Sequence, residues 1–253
     1  MPSRRTVLKG AAALPISAVL ADPMLSRAMA AAHDAVSITT SDGRTVNATL
    51  AVPSTVPAPA MILIHEWWGL NAQIKAMAGE FAKQGYVAIA VDLYDGEVAT
   101  DPTNARRLMG GVGPEQATAT LGGWIDWALS QKFVNGRIGT VGWCFGGGWS
   151  LNASIARPVD ATIVYYGNVA RKAPDLGKLK GPVLGHYAES DQWINHAMVD
   201  GFEAEMKQAG KPFTSHWYDA QHGFANPTTA RYDKEDAALS WSRTLEFLKA
   251  NLG

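Results

Sequence analysis

Beyond its first thirty residues the chain alternates short apolar blocks with longer stretches of helical period. Ala60-Met61-Ile62-Leu63-Ile64-His65, Tyr86 to Val91, Ile138 to Val141, Ala161 to Tyr166 and Pro182 to Tyr187 are continuous apolar runs. That pattern marks parallel strands covered on both faces. Ala35 to Thr40 and Thr45 to Val52 read as two strands joined by the hairpin signal Ser41-Asp42-Gly43-Arg44, and Phe213 to Tyr218 alternates like a last strand. Helices are predicted over Asn71 to Gln84, Asp101 to Met109, Pro114 to Gln131, Phe145 to Ala156, Ile194 to Gln208 and Thr228 to Leu252. Gly85 stops the first of these, and Asn135-Gly136 reads as the turn into the strand at Ile138. The Pro/Ala stretch Pro53 to Pro59 reads as a loop between strands. Strand and helix in alternation predict an α/β fold: a mostly parallel twisted sheet of about eight strands, helices on both faces and an antiparallel hairpin at one edge.

The first thirty residues follow another logic. Ser3-Arg4-Arg5-Thr6-Val7-Leu8-Lys9 is a twin-arginine n-region, Gly10 to Leu20 is a small apolar stretch, and Ala28-Met29-Ala30 supplies an A-x-A cleavage site. The apolar stretch is too short for a stable membrane anchor. Residues 1–30 are therefore expected to be a removable signal read by the twin-arginine export machinery, which makes the protein periplasmic or secreted. Residues 31–253 remain as one domain, expected to be a monomer. Residues 1–30 hold Arg4, Arg5, Lys9 and Arg27 against Asp22, so the remainder carries 18 basic and 22 acidic residues, a net of −4. That balance argues against a nucleic-acid or anionic-membrane surface.

The candidate chemistry centres on the only cysteine. Cys144 sits in Gly142-Trp143-Cys144-Phe145-Gly146-Gly147-Gly148, directly after an apolar strand and at the start of a helix. This is the G-x-Nuc-x-G elbow of the α/β-hydrolases, with a thiol in the place of the usual serine. The alternative, a buried inert cysteine, is a common fate for this residue type. An unpaired thiol is a liability in an oxidising compartment, however, which favours a working role. The elbow predicts an acid after a late strand and a histidine after the last one. Asp191, in Ala188-Glu189-Ser190-Asp191, and His222, in Asp219-Ala220-Gln221-His222-Gly223-Phe224, fall there. Asp219 competes for the role of acid, being three residues from His222.

Gly142-x-Cys144-x-Gly146-Gly147, His65-Glu66-Trp67-Trp68-Gly69-Leu70-Asn71, Asp92-Leu93-Tyr94, Asp191 and His222-Gly223-Phe224 together resemble the dienelactone hydrolase family, from about Val36 to the C-terminus. The resemblance implies an α/β-hydrolase fold and hydrolysis of an ester or lactone through a Cys144-His222-Asp191 triad and a thioester acyl-enzyme. It implies that Glu66 contacts the resting thiol and helps to form the thiolate. It also implies that the backbone N–H groups of Trp67 and Phe145 form the oxyanion hole. The chain departs from the family at two substrate-binding arginines, whose positions hold Gly96 and Asn226. Arg106, Arg107 or Arg171 are the available substitutes; without one, uncharged esters are expected to be turned over at least as well as carboxylated lactones.

Five of the nine tryptophans, Trp67, Trp68, Trp143, Trp149 and Trp193, lie beside these motifs. An aromatic pocket is predicted from Trp68, Tyr94, Trp143, Trp193 and Phe224, with Trp149 assigned to core packing. His65, His186, His196 and His216 read as structural. Glu66 is expected to be desolvated, its alternative being a structural ion pair with a nearby Arg or Lys. No metal-ligand spacing, dinucleotide fingerprint or phosphate loop occurs, so no cofactor and no metal is implied. Two other classes stay open: a non-catalytic binding protein of this fold, and a redox-sensing thiol, the latter weakened by the lack of a resolving cysteine.

Overall fold

The computed structural model describes residues 33–253. The twin-arginine segment and its cleavage site lie outside the described residues. Eight strands form one sheet: β1 (Asp34–Thr39), β2 (Thr45–Ala51), β3 (Ala58–Ile64), β4 (Val87–Val91), β5 (Val134–Trp143), β6 (Ala161–Tyr165), β7 (Val183–Ala188) and β8 (Phe213–Tyr218). Seven helices connect and cover them: α1 (Ala72–Lys83), α2 (Pro102–Gly111), α3 (Pro114–Ser130), α4 (Phe145–Ala156), α5 (Ala173–Leu176), α6 (His196–Gln208) and α7 (Lys234–Leu252). The spatial order is β1-β2-β4-β3-β5-β6-β7-β8, antiparallel for β1–β2 and β2–β4 and parallel from β4 to β8.

Alternation along β3 explains why its sequence is apolar throughout. Met61 and Leu63 face the layer that holds Phe81 of α1 and Leu248 and Leu252 of α7. Ile62 and Ile64 face Leu121, Trp124 and Ile125 of α3. All four β3 residues are fully buried, so neither face can tolerate a polar side chain.

The structure departs from the sequence pattern at three places, each for a local reason. β5 starts at Val134, not Ile138: Asn135-Gly136 forms a bulge inside the strand rather than a turn before it. Gly136 takes a left-handed φ of 87°, and the register against β3 shifts between Ala58↔Val134 and Ala60↔Ile138. The last helix starts at Lys234, not Thr228. Asn226 Oδ1 accepts bonds from the Thr228 amide and hydroxyl, which curls the chain into a loop, and Asp233 then caps the helix by accepting from Glu235 N and Asp236 N. The short α5 has no counterpart in the prediction.

Helix α4 is fastened to the sheet by a buried hydroxyl cluster. Thr140 of β5 contacts Ser150 at 2.8 Å and Ser154 at 2.9 Å, Ser150 donates to the Ile163 carbonyl, and Thr162 of β6 donates to Ser154. Ser154→Ala leaves the buried Thr162 hydroxyl without its acceptor, whereas Thr140 keeps Ser150. The substitution is expected to lower unfolding free energy by about 1–3 kcal/mol, measured by urea titration, with kcat nearly unchanged.

Candidate active site

Cys144 lies at the tip of the turn between β5 and α4, with φ 54° and ψ −117°. Its amide donates to the Tyr165 carbonyl at 3.0 Å, and its own carbonyl accepts from Gly147 N. The turn is so tight that only glycine fits on either side. A Cβ on Gly142 would sit 1.9 Å from the Gly146 carbonyl oxygen, and one on Gly146 would sit 2.2 Å from that of Ile64. The residue with the strained backbone is the one whose side chain is presented outward, so the strain has a direct consequence for exposure.

The chain brings three further segments to the same end of the sheet, beyond the carboxyl ends of the parallel strands. The loop after β7 carries Asp191, and the loop after β8 carries His222. The His222 ring donates from Nδ1 to Asp191 Oδ2 at 2.7 Å. Asp191 Oδ1 accepts from Trp193 N at 2.8 Å and Ile194 N at 3.1 Å, so both carboxylate oxygens are oriented. Cys144 acts on the same ring through hydrogen bonding and charge, and both favour the imidazolium. Asp219 is exposed, and the carboxylate bonded to the imidazole is that of Asp191.

The electrostatics follow from burial and these bonds. Burial by itself disfavours charge on His222, but the bond to Asp191 and the bond and charge of Cys144 outweigh it and raise the ring to about 9. Burial pushes the Asp191 carboxyl up, yet the bonds from His222, Trp193 N and Ile194 N hold it below its ordinary value. The Glu66 carboxyl is raised by burial, an effect only partly offset by donors and nearby positive charge.

Glu66 follows β3 and is buried. Its oxygens accept from Tyr166 Oη at 3.2 Å and from Asn226 Nδ2. Among the described residues it forms no ion pair, so the alternative of an Arg or Lys partner is not what holds it. The resemblance implied contact with the resting thiol; the hydrogen bonds instead run to Tyr166 and Asn226. Trp67 and Phe145 both line the cavity, and Phe145 opens α4, where first-turn amides have no acceptor within the helix.

A cavity of about 750 Å³ opens above Cys144. Of the five pocket residues predicted, it includes only Trp193, which is 57% exposed. Trp143 and Phe224 are buried in the core beneath, because Trp143 points from the strand onto Tyr165 and Phe224 packs on Tyr166 and Tyr218. Tyr94 and Trp68 belong to a separate cluster around Ala105 and Leu108. Trp149, assigned to the core, packs against the core cluster around Leu121 and Trp124 and also lines the cavity. Phe145, Gly148, Trp149 and Asn152 form an i, i+3, i+4, i+7 stripe along α4, a spacing that was open to reading from the sequence.

Three arginines also line the cavity: Arg106, Arg171 and Arg231. Arg107 does not, being paired with Glu97 at 2.6 Å on the surface. Arg171 donates to Asn152 Oδ1 at 2.8 Å and to the Ala170 carbonyl, and Arg231 lies 5.8 Å over the Trp193 ring. Arg231 carried no signal in the sequence, since only the curl after Asn226 brings it to the rim. His65, His186, His196 and His216 lie outside the cavity lining.

Comparison with known proteins agrees with this architecture. Residues 46–252 match the profile described as the dienelactone hydrolase family. A carboxymethylenebutenolidase of Pseudomonas putida is 29% identical over 230 residues, 85% of this chain and 95% of its own. A putative carboxymethylenebutenolidase of Methylorubrum extorquens is 30% identical over 212 residues, 76% of this chain and 72% of its own. The solved structure of a putative dienelactone hydrolase from Klebsiella pneumoniae has a TM-score of 0.76 at 26% identity, covering 86% of this chain and 98% of that one.

Proposed function

Since the chain belongs to the dienelactone hydrolase family and is a carboxylic ester hydrolase, we propose that it cleaves an anionic ester or lactone through a thioester on Cys144. The observation that carries the chemistry is the line Asp191–His222–Cys144, with the 2.7 Å Nδ1–Oδ2 bond at one end and the sulfur on the cavity wall at the other. His222 takes the thiol proton. The sulfur attacks the carbonyl carbon, and the π pair moves to oxygen. That oxyanion is met by the amides of Trp67 and Phe145. Collapse of the tetrahedral species expels the alkoxide, which takes the proton back from His222. Water, deprotonated by the same ring, then attacks the thioester and the sulfur leaves. With a lactone the alkoxide stays tethered to the acyl group and departs with it.

The substrate's charge is inferred from the cavity lining. Arg106, Arg171 and Arg231 stand there with no carboxylate among the lining residues, and among the described residues none of the three is ion-paired. The place of the family's missing arginine at Asn226 is taken by a residue that holds Glu66, while positive charge enters from other elements.

Two measurements test this reading. Intact mass after brief mixing with a p-nitrophenyl ester is expected to show an acyl adduct on Cys144; a redox sensor shows only oxidation and a binding protein neither. In a panel of carboxylated lactones or esters beside neutral analogues, the carboxylated compounds are expected to have the higher kcat/KM. Arg171→Met is expected to cut that preference about tenfold. Equal turnover of the neutral analogues, unchanged in Arg171→Met, returns the protein to a broad carboxylesterase.

A further inference from the structure

We propose that His65 is a positioning residue for ester cleavage: it holds the Glu66 carbonyl away from the cavity, which keeps the Trp67 N–H aimed at the developing oxyanion. The inference rests on the reading of the Trp67 amide as an oxyanion donor.

His65 is fully buried at the end of β3. Its Nδ1 lies 2.6 Å from the Glu66 carbonyl oxygen, and its Nε2 accepts the Leu93 amide at 3.2 Å. A backbone N–H can only donate, so Leu93 fixes Nε2 as the acceptor and leaves the proton on Nδ1. Nδ1–H therefore donates to Glu66 O. The same oxygen also accepts from Gly69 N at 3.2 Å. Two donors thus fix the direction of that carbonyl.

The Glu66 carbonyl and the Trp67 N–H belong to one peptide unit. Among the described residues the only cis bond is Val56-Pro57, so this unit is trans, and its N–H points opposite to its C=O. A carbonyl tied to the His65 side of the loop sends the N–H the other way, toward the cavity that Trp67 and Cys144 both line. Release of that tie permits the peptide to rotate. Rotation would present a carbonyl dipole to a developing anion, which is repulsive where the N–H was attractive. His65 is itself held: its ring packs edge-on against Tyr94 at 4.6 Å and stacks on Phe145 at 6.0 Å, the residue whose amide is the second donor. One buried ring is therefore bonded to the peptide that carries the Trp67 N–H and stacks beside the side chain of Phe145.

The test compares His65→Leu, which removes the donor, with His65→Asn, whose side-chain amide can occupy the Nδ1 position. Kinetics on a p-nitrophenyl ester are read beside the ¹⁹F NMR titration of a trifluoromethyl ketone adduct on Cys144, whose oxyanion reports the donors directly. His65→Leu is expected to lower kcat about 10- to 100-fold with KM within about twofold, and to raise the pKa of the adduct's oxygen. His65→Asn is expected to restore both to within a few-fold of the wild type. A His65→Leu enzyme with wild-type kcat overturns the assignment. So does a folded His65→Asn enzyme that stays about tenfold or more slow, and this variant decides the matter if His65→Leu does not fold. An adduct whose pKa is the same in wild type and variants removes His65 from the mechanism and leaves the thioester reading intact. Failure of the wild type to form the adduct removes the thioester reading itself.

Discussion

Cys144→Ala is expected to lower ester hydrolysis by about 10⁴-fold or more and to abolish the acyl adduct. No other thiol exists in the chain to take over. The fold is expected to survive, because alanine presents the same Cβ to the turn and the close approaches around the elbow involve the glycines, not residue 144. A circular dichroism spectrum and melting temperature like those of the wild type separate lost chemistry from lost structure. Cys144→Ser is expected to be nearly as inactive. An imidazole raised to about 9 is a base matched to a thiol proton, whereas an alcohol holds its proton far more tightly. Residual activity within about tenfold of wild type in the alanine variant, or an adduct on another side chain, would place the nucleophile elsewhere.

Asp191→Asn is expected to cost about 10³- to 10⁴-fold in kcat, and the reason is geometric. Trp193 N and Ile194 N donate to Oδ1, so the new side chain keeps its carbonyl oxygen on those amides and turns its NH₂ toward His222. Nδ1 then becomes an acceptor, the ring proton moves to Nε2, and the nitrogen facing sulfur can no longer take a proton. The pH profile gives a second readout. The folded-state value of His222 lies above its ordinary 6.5, so the stabilisation of the charged ring is complete below about 6.5 and is lost as pH rises through about 9. Wild-type kcat/KM is expected to fall on its alkaline side near pH 9. In Asp191→Asn that limb is expected to move to lower pH. A limb that does not move would detach Asp191 from the titration.

The sequence carried the fold because its signals are local. Continuous apolar blocks such as Met61 to Ile64 can be satisfied only by burial on both faces, and the glycines at 142 and 146 mark a turn that admits no Cβ. The same locality failed wherever a loop was decided by contacts from elsewhere. Asn226 looked like a vacant arginine position, yet in space it joins Glu66 to the loop after His222. Trp143 lies in the core because strand alternation sends it onto Tyr165, whereas helical period turns one side of Trp149 to the cavity while it still packs on the core.

What the linear order of residues determined, then, is the sheet, the elbow and the sequence of thiol, acid and imidazole. These follow from side-chain period, turn stereochemistry and chain direction, none of which needs a distant partner. Tertiary structure decided which acid reaches His222, which arginines reach the cavity and which donors fix the Glu66 carbonyl. Those outcomes depend on loops converging beyond the ends of β3, β7 and β8, and the position of a loop is set by what it packs against rather than by its own residues.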